Sequence, residues 1–98
     1  MALLQLTIIP LGTGTPSVGE YVADIQRALE KENVPFRLND MGTVIEGEVG
    51  QLLALVAKIY ELPFQRGAQR VVTQMVIDDR RDRHVAIGDK IEAVHARM

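Results

Sequence analysis

Ser17, Tyr21, Asn39, Met41 and Thr43 put hydroxyl, phenol, amide and thioether groups into two short stretches of this chain, Gly12–Tyr21 and Asn39–Thr43. Gathered at one end of a sheet, such groups could line a small polar-rimmed pocket. Capping and turn chemistry accounts for Ser17, Asn39 and Gly42 equally well without a ligand. A third stretch adds a carboxylate: Glu46, which with Gln5, Thr7, Glu48 and Gln74 stands among apolar neighbours on strands. A carboxylate there must be paired, hydrated or neutralised, because leaving it dry and alone costs several kcal/mol.

Other chemistry is thinner. Gly12-Thr13-Gly14 before a helix resembles an anion-cradling loop, yet it is neither a dinucleotide fingerprint nor a phosphate loop, and the glycines also serve a turn. His84 and His95 have no acidic partner at metal-ligand spacing and read as surface histidines. Asp78-Asp79-Arg80-Arg81-Asp82-Arg83 alternates in sign and reads as a salt-bridge network. No nucleophile–base pair or carboxylate pair emerges from the spacing, so the chain reads as a non-enzyme. It has no cysteine, which removes disulfides, thiolate metal sites and thiol nucleophiles.

The elements that must position these groups follow from periodicity. Leu3–Leu11 is apolar on both alternating sets and predicts a strand covered on both faces. Val18, Val22, Ile25 and Leu29 predict a helix, started by a Ser17/Glu20 capping box or by Thr15-Pro16 and stopped by Asn33 and Pro35. Phe36–Leu38 and Thr43–Glu48 form a hairpin about Asn39–Gly42. A second helix runs from Gly50 to Glu61 with Leu52, Val56 and Ile59 inward, ended by Pro63. Arg70–Asp78 is the last strand, and Ile87, Ile91, Val94 and Met98 mark a final short helix. The order β-α-β-β-α-β predicts an α+β, ferredoxin-like antiparallel sheet with its crossover helices on one face, a single domain over residues 1–98.

Two helices cover one side of such a sheet. Leu3 and Ile9, joined by Val44, Val72 and Val76, leave an apolar second face. Either a further copy of the chain covers it, as a homodimer or homotetramer through the open sheet face, or the terminal helix folds under it. Eleven basic against thirteen acidic residues argue against a nucleic-acid partner. No run is long and apolar enough for a bilayer, and the first ten residues lack a basic leader, so the expected setting is cytoplasmic, with no membrane partner.

Ile9-Pro10-Leu11-Gly12-Thr13, Ser17-Val18, Tyr21-Val22-Ala23, Met41-Gly42-Thr43-Val44-Ile45-Glu46-Gly47, Arg70–Thr73 and Ile77–Asp82 together resemble the small thiamine-binding family related to the YkoF-like proteins. The resemblance spans nearly the whole chain. It implies a ferredoxin-like, oligomeric subunit that binds thiamine or its hydroxymethylpyrimidine part without catalysis, in storage, salvage or sensing, and without a further cofactor. Carried onto this sequence, it makes Glu46 the charge partner. Ser17, Asn39 and Thr43 become contacts to the aminopyrimidine edge, and Met41 or Tyr21 packs on the ring face. The alternative reading is a ligand-free assembly or regulatory module that binds a protein partner.

Overall fold

The computed structural model describes residues 1–98. Strand β1 (Ala2–Leu11) is followed by helix α1 (Gly19–Lys31), the hairpin strands β2 (Phe36–Asn39) and β3 (Gly42–Gly47), and helix α2 (Val49–Ile59). The short helix α3 (Leu62–Gln65), strand β4 (Arg70–Asp79) and helix α4 (Asp89–His95) complete the chain. All strands are antiparallel in the order β2-β3-β1-β4, which is the ferredoxin-like arrangement expected. Alternate residues of β1 (Ala2, Leu4, Leu6 and Ile8) join Ile45, Ile25, Leu29, Leu52, Leu55, Val56 and Ile59 in one core. Period two in the strand meets the period of the helices there, so both crossover helices sit on one face.

Three boundaries differ from the sequence expectation. Helix α1 starts at Gly19, with Val18 at the cap position and no side chain capping it. Ser17 instead donates its backbone N–H to Thr15 Oγ1 at 3.2 Å, a local bond that competes with helix entry. Neither the Ser17/Glu20 box nor Thr15-Pro16 starts the helix. Pro63 stands in the first turn of α3, where its missing N–H is tolerated. Glu48 lies just past β3 and precedes α2 instead of sharing the sheet face.

The open face is partly covered by the C-terminal segment. Ile87 donates its N–H to Glu46 Oε1 at 2.8 Å, Lys90 pairs with Asp78, and Val85 is buried. Ile87 and Ile91 close over Leu3 and Val44. Farther along, Ile9, Val72 and Val76 remain uncovered. No helix is long and apolar enough to cross a membrane.

On the opposite side, Asp24 ties α1 to the end of α3: Arg66 donates to it through Nε at 2.6 Å and Nη2 at 2.9 Å, and Arg27 donates at 2.6 Å. The Arg66 guanidinium, aided by Arg27, pulls the Asp24 carboxyl from its ordinary 3.8 down to about 2. A depressed acid stabilises the fold above its ordinary range and loses that contribution as pH falls toward its folded-state value. Asp24→Asn should cost about 1–2 kcal/mol near neutrality, given partial exposure of the arginines. Urea unfolding of both proteins across pH should show that gap closing between about 4 and about 2.

Candidate functional site

Strand β1 has ten residues and β3 has six, and this mismatch makes a cavity. Pairing of β1 with β3 runs from Ala2↔Gly47 to Leu6↔Thr43 and stops there, whereas β4 accompanies β1 to Leu11. From Thr7 onward the β3-side edge of β1 therefore has no strand beside it. The hairpin turns away at Asp40-Met41, and α1 crosses above the gap. The enclosed space measures about 190 Å³. Drug-sized ligand pockets begin near ~300 Å³, so this one holds a single heterocyclic ring more readily than two.

Its walls are apolar. Leu6 and Ile8 come from β1, Val18, Val22 and Ile25 from α1, and Leu38 and Met41 from the hairpin. The first half of the α1 stripe thus roofs the cavity, while Leu29 at its far end enters the core. Met41 is 83% exposed at the mouth, where an unbranched, polarisable thioether can fold onto a ring. Gly42 sits where room is short: a Cβ there would lie 3.1 Å from Thr7 Oγ1 and 3.2 Å from the Leu6 carbonyl oxygen, tighter than side-chain carbons ordinarily pack.

The polar groups are few. Thr7 donates its hydroxyl to the Met41 carbonyl at 3.3 Å and fastens the turn to β1. Gln26 Nε2 donates to Thr43 Oγ1 at 3.0 Å, and Thr43 itself is buried. Gln26 Oε1 is shielded from solvent and has no hydrogen-bond partner. Buried amide oxygens in that condition are uncommon, because an unmatched acceptor costs about 1–3 kcal/mol. Asn39 and Asp40 complete the rim, and Asp40 is the one charged side chain in the lining.

Of the residues singled out from sequence, Asn39, Met41 and Thr43 meet here. Ser17 and Tyr21 do not line the cavity: Ser17 stays in the loop before α1, and Tyr21 shares the α1 face that carries Asp24 toward Arg66. Glu46 is on the other side of the sheet, where its carboxylate holds Ile87 N–H. Gln26, Thr7 and Asp40 complete the set that sequence reasoning passed over. Gln26 carried a signal, since a polar residue sits on the Val22–Leu29 face of an otherwise apolar helix stripe.

Comparison with known proteins adds four findings. The family model described as thiamine-binding protein matches residues 4–95. The UPF0045 protein YqgV of Bacillus subtilis is 46% identical over 102 residues, covering all of this chain and 98% of its own. A crystal structure of a hypothetical protein from Methanocaldococcus jannaschii superposes with a TM-score of 0.86 at 30% identity, over 96% of this chain and 95% of that one. A Thermotoga maritima protein, proposed to act in thiamine biosynthesis or salvage, shares the fold with a TM-score of 0.80 at 18% identity, over 95% and 97% of the two chains.

Proposed function

The chain belongs to the thiamine-binding protein family, and from that premise we propose that it binds a thiamine-type ligand in the cavity beside β1 without transforming it. The family is described by binding, not by a reaction. The observation that carries the reading is the cavity itself: single-ring size, apolar walls, and an amide and a hydroxyl at its base. Thiamine joins an aminopyrimidine to a cationic thiazolium. One ring enters, Met41 packs on it, and Asp40 at the rim balances the positive charge. Glu46 takes no part in this arrangement, because its carboxylate is engaged across the sheet. Storage, salvage or sensing in the cytoplasm are the roles that suit a binder of this kind.

A thermal-shift titration tests it. Ligand at about 100 times Kd adds about 2.7 kcal/mol, which for a domain of this size raises Tm by about 10 °C or more. Thiamine or the free hydroxymethylpyrimidine should produce that shift, and Asp40→Asn should weaken thiamine more than the uncharged pyrimidine. No shift with thiamine, its phosphates or the pyrimidine overturns the reading and favours an assembly module that binds protein.

We also propose that a second copy of the chain completes the assembly by pairing along β4. The outer edge of β4 has no strand beside it, and its seven central residues, Val71–Ile77, carry no charge. Proteins that remain single usually blunt such an edge with lysine, proline or a bulge.

A further inference from the structure

Resting on the binding reading above, we infer that the cavity is shared between copies of the chain: a second copy packs its open sheet face on this one, seals the side that α1 leaves uncovered, and is held more tightly when ligand is bound. Alternation along β1 carries the geometry. Leu6 and Ile8 point toward the helices, whereas Thr7 and Ile9 point to the open face, and all four line the cavity. The cavity therefore passes through the sheet where β3 has ended, and it has a roof on one side only. Ile9 is at once a wall of the cavity and part of the bare apolar face. The C-terminal segment stops over Leu3 and Val44 and does not reach it. Pairing along β4 does not cover it either, because strands joined edge to edge keep both of their faces.

Area and charge identify the occupant. The chain exposes 6596 Å², whereas a compact monomer of 10.9 kDa ordinarily exposes about 5,600 Å². The surplus is about 1,000 Å², and one partner in a stable interface gives up roughly 800 Å². The patch also has the composition of an interface centre: Gln5, Thr7, Ile9, Val72, Gln74 and Val76 carry no charge. Gln5 and Gln74 are exposed amides, each with a donor and an acceptor. The same groups on a second copy answer them across a two-fold axis. A ligand that touches both copies prefers the assembled state, and linkage requires assembly to favour the ligand by the same factor.

The experiment is sedimentation over a dilution series, with and without saturating thiamine, and calorimetric titration of thiamine at low and high protein concentration. Wild type is compared with Gln5→Glu, which buries an unpaired carboxylate in the face contact. Gln5 lies outside the cavity lining and away from the β4 edge. Gln5→Glu should weaken the face contact, keep the edge pairing, and bind thiamine at least about tenfold more weakly when dilute. That deficit should shrink as protein concentration rises and the copies are driven together. Thiamine should move the midpoint of the face contact to at least about tenfold lower protein concentration. Where the wild type stays whole on dilution, the midpoint is read in Gln5→Glu. A midpoint that thiamine leaves unmoved overturns the inference. So does a Gln5→Glu protein that assembles like the wild type, or one that comes apart yet binds thiamine as the wild type does. A deficit that is the same at every protein concentration overturns it as well. Each of these results leaves thiamine binding standing, whereas a wild type that takes up no thiamine removes the binding reading itself.

Discussion

Gly42→Val should abolish measurable thiamine binding and lower the stability of the ligand-free protein by about 1–3 kcal/mol. Gly42 does not have a positive φ, so the reason is room. The first side-chain carbon would stand 3.2 Å from the Leu6 carbonyl oxygen, which belongs to the backbone of β1 and cannot rotate away. It would also meet Thr7 Oγ1 at 3.1 Å, the hydroxyl that fastens the Met41 carbonyl. Valine adds two methyl groups beyond that atom. The turn must therefore lift from β1 at Leu6↔Thr43, the last rung before the cavity opens. Met41, Asn39 and Thr43 move with it, and the Gln26–Thr43 bond is strained or lost. Gly50→Ala is the control: no atom lies within 4 Å of its added carbon, and alanine favours the helix it sits in. Urea unfolding and calorimetry on both variants check the prediction. A Gly42→Val protein that binds like wild type would show that the tight approach of hairpin and β1 has no bearing on the cavity.

The same rung explains how far the sequence could be read. Strand and helix order followed from periodicity, because the alternation in β1 and the Val18–Leu29 stripe are local patterns. The turn chemistry of Asn39–Gly42 likewise placed Asn39, Met41 and Thr43 correctly at one end of the sheet. The cavity was not local. It arises because β1 outruns β3, a matter of pairing length that neither strand carries by itself. Glu46 shows a rule that was available: residues three apart on a strand point to opposite faces, so with Thr43 turned toward α1, Glu46 stands on the face away from the helices. Tyr21 fails on the helical counterpart, since it shares a face with Asp24 and Gln26 with Val22. Ser17 and Pro63 were ambiguous by nature. A serine before a helix either caps it or makes its own turn, and a proline after one either ends it or begins the next. Of the two expected covers, the C-terminal segment lies over Leu3 and Val44, and the region of Val72 and Val76 is left bare.

That bare region carries the second large effect. In solution the protein should run at no less than twice its 10.9 kDa, and Gln74→Cys should convert it to a covalent dimer on mild oxidation. The register follows from β4 itself. Antiparallel self-pairing about a two-fold axis at Gln74 sets Arg70 opposite the partner's Asp78 at both ends, and Val72 opposite the partner's Val76 between them. Asp78 already meets Lys90 within the chain but keeps half of its side chain exposed, enough to accept a second cation. Directly opposed strand residues bring their Cβ atoms within about 4.5–5.5 Å, so two thiols at the axis need only a small adjustment to bond. The chain has no native cysteine, and any disulfide formed is therefore between copies. Val76→Cys is the decisive comparison: Val76 is 65% exposed and favours random collision, yet this register places it opposite Val72 instead of its own counterpart. Gln74→Cys should crosslink at least about tenfold faster, whereas Gln74→Lys sets like charges face to face and should shift the protein toward the monomer. Equal crosslinking at the two positions would exclude the register. A wild-type protein of 10.9 kDa at micromolar concentration would exclude the pairing altogether, leaving Val72 and Val76 with no partner but water.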